Sequence, residues 1–423
     1  MNSLVTSLVL KESEDSEALV SERKSVDPID GVNPEGGLTL GADGMLYGAT
    51  PQGGYSGGTG VGLIFKVNPD DSDYTGVLSF GFFGAAGQTP TSPPLQGQDG
   101  NLYGVTSSGG NLVNGRGGLG LVYSVGTNGL GFGFLHEFST NYLDGTTPIG
   151  SLIQASGGTL YGTTYGSGLM GSADAGTVFR LLANGAGFQV LHTFANNSSD
   201  GGSPSAAMIL GADGFLYATT ESGGAHGYGT VFKLSTSGSG YQVIHHFGAV
   251  ANDGRVAKGP VTLGSDGYLY GTTFYGGAFG PQGPGNAGYG VAFRLDTTGS
   301  NYTVLYNFGS KPWDGQLPEG GLAQGPDGAF YGTTSSGGEY SAGSVFRLGS
   351  TPFEFTSIRQ LLDRTFYLSL SGPANTTCHV EVSTDLSHWM TLTNLPNTTG
   401  SVEFIDGAAA NFFRRFYRAS QGP

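Results

Sequence analysis

Along most of this chain, apolar and polar residues alternate in short runs separated by glycine-rich gaps, the period-two pattern of half-buried β-strands. One stretch shows the unit. Val261–Leu263 leads into Asp266-Gly267, a two-residue turn of the kind that closes a hairpin with positive φ at both central positions. Leu269–Thr273 follows, rich in the aromatic and β-branched residues that suit a pleated sheet. A glycine-rich loop leads to Val291–Leu295, and a shorter turn leads to Tyr302–Phe308. The pattern predicts four antiparallel strands per unit.

The unit can be read six times. Its second-strand tyrosine recurs at Tyr47, Tyr103, Tyr161, Tyr217, Tyr270 and Tyr331, at spacings of 56, 58, 56, 53 and 61 residues. In the five complete copies the last apolar residue of the third strand stands 13 before the last aromatic of the fourth (Val67/Phe80, Val125/Phe138, Leu181/Phe194, Leu234/Phe247, Leu295/Phe308). This repetition predicts an all-β fold, a six-bladed β-propeller with four antiparallel strands per blade over residues 31–350. The rival architecture, a β-solenoid, has coils much shorter than this period. Only five copies carry a fourth strand, so ring closure calls for a strand from elsewhere. The N-terminal segment 1–30, within Leu4–Lys24, is the expected donor. Beyond residue 350 only four glycines remain in 73 residues. There the alternating runs Phe366–Leu370, His379–Ser383, Met390–Leu392, Val402–Ile405 and Phe416–Arg418 predict a small β-sandwich over 351–423.

Composition sharpens the picture. Glycine supplies 79 of 423 residues, and 75 of these lie between residues 31 and 350. A helix-rich fold is excluded, because each interior glycine weakens a helix by ~1 kcal/mol relative to alanine. Collagen is excluded by the missing period of three and by only 19 prolines. A formal charge of −15 without clustered Lys and Arg argues against nucleic acid and anionic membrane surfaces as partners. Cys378 stands alone, so no internal disulfide or multi-cysteine zinc site is available, and it is expected as a buried small hydrophobe. No stretch approaches the run of apolar residues that membrane insertion needs. The opening MNSLVTSLVLKESEDSE has an apolar run but no basic n-region and no clear cleavage site, so no signal peptide is visible.

The pattern DGxxPxxxLxxGxDGxLYGTTxxGG…GxVFxL…YxVLHxF resembles the GloVer tandem repeat of bacterial proteins usually named "choice-of-anchor". The best matches are Asp213–Gly224 with Gly229–Leu234, and Asp327–Gly338 with Gly343–Leu348. The segments Val380–Trp389 and Arg415–Arg418 are similar to a small β domain that often follows such repeats. The resemblance spans residues 31–420. It implies export, to an extracellular or cell-surface location, and supplies no reaction. The chain departs from the pattern at Gly157-Gly158 in the third copy and at Ala86-Gly87 in the second linker, and no sorting signal or anchor is visible.

Within a propeller whose first strand is innermost, the loops between strands two and three share a face with the DGxxP linkers, and variable loops on a rigid scaffold are where binding usually resides. The linkers carry Asp30, Asp144, Asp200, Asp253 and Asp314. These are weak candidates for a carboxylate ring holding calcium, and the favoured reading is that each caps its own turn. His136, His192 and His245 share one slot on successive outermost strands, too far apart for one metal ion, and are expected to pack structurally. The slot of Lys66, Arg180, Lys233, Arg294 and Arg347 is expected to be solvated, as are Arg414, Arg415 and Arg418 on a final edge strand, although the latter strip offers a place for an anionic partner.

Residues that break the repeat are better functional candidates. For ligand binding these are Arg116, Glu221, His226, Tyr228, Tyr275 and Trp313, with Asp174, Arg255, Lys258, Lys311, Glu339, Tyr55, Tyr165, Phe274 and Tyr340 on the same face. Aromatic rings beside polar groups suit stacking on sugars or contact with a protein. The leading expectation is an exported, non-catalytic propeller binding a glycan or protein, with no cofactor. One alternative is a carbohydrate-active propeller enzyme (lyase, lactonase or glycoside hydrolase), which needs an acid/base pair, Glu221 and His226 being the least implausible. The other is a structural envelope repeat protein.

Overall fold

The computed structural model describes residues 5–8, 20–23, 31–54, 61–70, 74–81, 87–110, 118–138, 144–166, 175–281, 288–325, 328–349, 354–372, 376–385, 388–412 and 414–421. It is all-β apart from one 3-10 turn, Ala409–Asn411, among these residues. The chain divides into two compact units: Met1–Ala323 with Gly332–Phe346, and Gln324–Tyr331 with Arg347–Pro423.

In the first unit each of repeats one to five folds into a four-stranded antiparallel sheet ordered as in the sequence. Repeat five forms it from Thr262–Leu263, Leu269–Thr273, Val291–Leu295 and Thr303–Asn307, within a residue of the expected strands. Repeat six, whose residues are divided between the two units, contributes Ala323–Gln324, Phe330–Gly337 and Ser344–Leu348, with no fourth strand described. The constant spacing of 13 has a physical origin that the sequence concealed. The fourth strand bulges at the same step in all five complete repeats, with one extra residue (Val77, Leu135, Leu191, Ile244 or Leu305) against two consecutive residues of the third strand, for instance Ile244 against Val231-Phe232. One bond then locks the register: the amide of Phe80, Phe138, Phe194, Phe247 and Phe308 donates to the glycine carbonyl before the third strand, at 3.0–3.1 Å.

The core lies between repeats. Four apolar clusters each join one repeat to the next, such as Val178, Phe194, Met208, Leu216 and Phe232 between repeats three and four. Tyr47, Tyr103 and Tyr217 reach into these clusters and donate their hydroxyls back to hairpin Asp43, Asp99 and Asp213 at 2.6–2.7 Å. Where Gly157 replaces that aspartate, Tyr161 instead reaches the Thr236 carbonyl of the next repeat, 3.3 Å away.

The linkers stitch the junctions. The residue three after each linker aspartate position is left-handed in all six repeats, from Asn33 to Leu317, with φ between 54° and 60°. Each of the last five donates its amide to the preceding repeat's loop; Val256 bonds Tyr228 O at 2.9 Å and accepts from the Phe274 amide at 2.8 Å. The cationic slot corrects the sequence reading. Far from being merely solvated, Lys66, Arg180 and Lys233 bridge to the Thr127, Thr236 and Thr297 carbonyls of the following repeat. Arg294 lies over Tyr268 at 4.9 Å.

At the ends of the array, Leu38 in repeat one is 51% exposed and Val345 in repeat six is 60% exposed, whereas Met208 and Val231 in the same two slots are buried. The described residues therefore do not join repeat six to repeat one. Val5–Leu8 and Val20–Arg23 pair with each other, and no pairing of either with Ser344–Leu348 is described.

In the second unit, Glu354–Gln360, Phe366–Ser371 and Ser401–Asp406 form one three-stranded sheet, and Thr376–Ser383, Met390–Asn397 and Phe416–Gln421 form another. Leu370, Cys378, Val380 and Val402 make their shared core. Burial pushes the Cys378 thiol up to about 11, as its expected role as a buried hydrophobe requires. The arginine strip is corrected in part: Arg415 is half-buried, with Nη1 on both oxygens of Asp406 at 2.7 and 2.9 Å.

Candidate functional site

Two slots converge where each linker meets the end of a second strand. One stands eight residues before the hairpin aspartate position and holds Glu35, Thr91, Ile149, Ser205, Lys258 and Glu319 through the repeats. The other follows the second strand's threonine (Thr50, Thr106, Thr164, Thr220, Thr273 and Thr334) and holds Pro51, Ser107, Tyr165, Glu221, Phe274 and Ser335. The linker bonds hold the two slots together: Glu221 N donates to Ser203 O as Phe274 N does to Val256 O. Neighbouring repeats thus present these side chains side by side at one end of their sheets.

In repeats four to six the slots fill with interacting charge. Lys258 Nζ pairs with Glu319 Oε1 at 3.1 Å and sits 3.6 Å above the Phe274 ring. Ser205 donates its hydroxyl to the Lys258 carbonyl at 3.4 Å. Burial pushes the Glu221 carboxyl up; the Ser205 hydrogen bond and the Lys258 charge oppose this, and the Glu319 charge adds to it. The surface continues outward. Phe274 meets Tyr275 edge-on at 4.5 Å, Tyr275 pairs with Arg255 across a short antiparallel ladder, and Arg255 lies 4.2 Å over Tyr228. A carboxyl biased toward its neutral form, an ammonium, a guanidinium and several rings are contiguous here. Such a surface can donate and accept hydrogen bonds to hydroxyls while stacking on a ring face.

Of the residues singled out in the sequence, Glu221, Tyr228, Arg255, Lys258, Phe274 and Tyr275 come together. Ser205 and Glu319 were missed, though they share the eight-before slot with Lys258, and slot alignment would have found them. His226 is exposed, with its Cβ beside the same Gly248 that the Tyr228 ring covers, and next to His246, whose ring burial and the neighbouring His245 and His226 hold below the ordinary value. No hydrogen bond between Glu221 and His226 exists among the described residues. Trp313, 72% exposed and left-handed at φ 66°, and Tyr340, 84% exposed, stand apart on repeat six. Lys311 and Glu339 are exposed on the same repeat, and Tyr165 is exposed on repeat three. Arg116, Asp174, Tyr55 and Asp30 lie outside the described residues.

The linker aspartates are spent on their own junctions. Asp200 accepts from the Ala195 and Gly201 amides at 2.8 Å, and Asp253 from Ala249 and Gly254 at 2.9 and 2.7 Å. Each also meets the histidine of its own repeat (His136–Asp144, His192–Asp200, His245–Asp253, at 3.2–3.3 Å), and Asp314 meets Tyr306. The next repeat adds a phenol, Tyr241 on Asp200 and Tyr302 on Asp253, whose rings stack on His192 and His245 at 3.7 Å. Burial opposes ionisation of Asp200 and Asp253, but these bonds outweigh it and hold both carboxyls below their ordinary value. Among the described residues no three His, Cys, Asp or Glu side chains are placed to share a metal ion.

The model of the Gloeobacter/Verrucomicrobia repeat matches residues 13–169 and 112–283. The chain belongs to this repeat family. No curated protein matches the sequence. Among solved structures, the xyloglucanase of Xanthomonas campestris is similar at 13% identity and TM-score 0.48, covering 82% of this chain and 52% of its own. PorZ, a surface component of the type-IX secretion system of Porphyromonas gingivalis, is similar at 12% and 0.43, covering 95% and 61%. An ulvan lyase is similar at 13% and 0.44, covering 85% and 83%. The repeat-family chain thus spans about half of the xyloglucanase, and at these identities and scores no activity carries across. Among the described residues, no helix is long and apolar enough to cross a membrane.

Proposed function

We propose that this repeat-family chain is an exported, non-catalytic protein that binds a glycan or protein partner through the loop face of a six-bladed β-propeller, followed by a small β-sandwich. One observation carries the binding reading: the symmetric slots are broken in three consecutive repeats by side chains in mutual contact, Glu221, Lys258, Glu319 and Phe274, extended by Tyr275, Arg255 and Tyr228. Repeat architecture does not call for them, since repeats one to three fold without them. Binding is favoured over catalysis because Glu221 and His226 have different neighbours. Closure into a ring is supported by the two exposed slots at the array ends, because the slots of Val345 and Leu38 meet at internal junctions, as Val231 and Val261 do. Residues 1–30 are the proposed source of the missing strand, and export rests on the family.

The test is a glycan array run beside affinity capture, with the wild-type chain and a Lys258→Ala/Phe274→Ala variant. A retained glycan or protein lost in the variant is the expected result. Binding that the variant keeps, or no binding in either assay, overturns the reading.

A further inference from the structure

The second unit has a cleft of about 620 Å³ lined by Arg364, Arg414, Arg415, Phe366 and Phe412. Residues 351–423 contain five arginines and no lysine, and three of the five line this one cleft. Asp406 neutralises Arg415, which also stacks on Phe412 at 4.5 Å. Arg414 is oriented by Nε on the Thr384 carbonyl at 3.0 Å, a bond that leaves its charge unbalanced. The Arg364 guanidinium has no hydrogen bond or ion pair among the described residues, and Phe412 is 43% exposed. The cleft therefore presents two cationic forks beside an apolar wall.

The backbone at Arg364 marks the position independently. The hairpin Leu361–Thr365 repeats the repeat-unit hairpin Gly41–Met45 bond for bond. Leu361 N donates to Thr365 O as Gly41 N does to Met45 O, both at 2.8 Å. Arg364 N donates to Leu361 O as Gly44 N does to Gly41 O, both at 3.0 Å. Asp363 accepts from Thr365 N as Asp43 does from Met45 N. Arg364 thus stands at φ 68° where the repeat hairpins place Gly44, Gly100, Gly214 and Gly267. A long cationic residue kept in a conformation that favours glycine is strain of the kind that accompanies function.

We propose that this cleft binds an oxyanion carried on a sugar ring, the carboxylate of a uronate or the sulfate of a sulfated glycan. Arg364 and Arg414 grip the anion, and Phe412 and Phe366 cover the ring. Guanidinium forks match such groups bidentately, and the cleft is the size of small-ligand sites rather than of a protein face. The site lies in the second unit and does not rest on the loop-face reading.

Affinity electrophoresis of the full chain against polygalacturonate, dextran sulfate, neutral dextran and poly-glutamate tests it. Retardation by at least one of the two anionic glycans, weakened by salt and absent with neutral dextran, is expected; which one retards assigns carboxylate or sulfate. Arg364→Gly should weaken that binding at least tenfold while thermal stability stays level or rises. Arg414→Gln should weaken it similarly, whereas Lys258→Ala should leave it unchanged. No retardation by either glycan, equal retention by poly-glutamate, or full binding by Arg364→Gly overturns the proposal.

Discussion

Asp253 offers the sharpest test of how the repeats hold one another. Its carboxylate is buried and accepts from Gly254 N at 2.7 Å, Ala249 N at 2.9 Å, His245 Nε2 at 3.2 Å and the Tyr302 hydroxyl of the next repeat. Asp253→Ala leaves two backbone amides and a phenol facing a site from which water is largely excluded. At about 1 kcal/mol for each stranded donor, the low end of the range, the cost is about 3 kcal/mol. Tyr302→Phe keeps the ring stacked on His245 and deletes one donor while the carboxylate keeps three, so it should cost about 1–1.5 kcal/mol. Because a repeat array unfolds locally as well as globally, the readout is amide exchange at Ala249 and Gly254. Exchange there should accelerate about 100-fold in Asp253→Ala and about tenfold in Tyr302→Phe, by the tenfold-per-1.4 kcal/mol conversion. The acid limb follows with its sign. The folded carboxyl titrates below its unfolded value of about 3.9, so its contribution is complete at neutral pH and is lost as pH falls below about 4. Asp253→Ala should therefore lose less stability than the wild type between pH 5 and pH 3, a range of about two units around that pKa. Equal exchange in both variants, or acceleration spread evenly into repeats one and two, would refute the reasoning.

Other consequences can be measured on the same protein. Glu221 is pushed the opposite way, so its ionised form weakens the folded state at neutral pH. Glu221→Gln should raise the melting temperature at pH 7, with the gain vanishing as pH falls below the carboxyl's unfolded value near 4.3; a variant less stable at pH 7 contradicts this. Val256 holds a left-handed conformation that costs an L-residue roughly 1–2 kcal/mol and that asparagine adopts more readily. Val256→Asn, with its bonds to Tyr228 and Phe274 kept, should gain about 0.5–1 kcal/mol in urea unfolding, and a loss would show that the side chain outweighs the backbone. If the ring closes, Leu38→Cys/Val345→Cys should cross-link within one chain through a short bifunctional reagent, and only intermolecular products would argue for an open array.

The repeat was legible because turns and close approaches constrain the chain more than strands do. A Cβ on linker Gly254 would stand 2.4 Å from a Thr273 side-chain carbon, and one on Gly201 would stand 2.6 Å from Thr220. The threonine that ends the second strand and the glycine that follows the linker aspartate therefore recur together. The bulge in the fourth strand left no comparable mark. It needs only a local backbone rotation that Leu191, Ile244 and Leu305 make equally well, so the sequence showed its result, the spacing of 13, and hid its cause. The left-handed linker residues were hidden for a related reason. Thr89, Thr147, Val256 and Leu317 have side chains that discourage positive φ, and two long-range hydrogen bonds to each backbone override the local preference.

Symmetry cuts both ways in reading the site. A residue type that recurs in one slot argues for a shared structural task, and His245, Asp253 and Lys233 perform such tasks at the junctions. The same logic finds function where a slot changes its chemistry. Lys258 was visible as an irregularity, but Glu319 sits in a Pro-Glu-Gly-Gly run that repeats Pro34–Gly37 and so looked like part of the repeat. Only the placement of repeat six beside repeat five turns that glutamate into the partner of Lys258. Glu35, the same residue in the same motif, has threonine rather than lysine in the next repeat's slot. A slot's meaning in this fold is therefore set by the pair it forms with the following repeat. Candidate residues in a tandem array are best sought among neighbouring-slot pairs, where Lys258–Glu319 is the one oppositely charged pair in its row of slots.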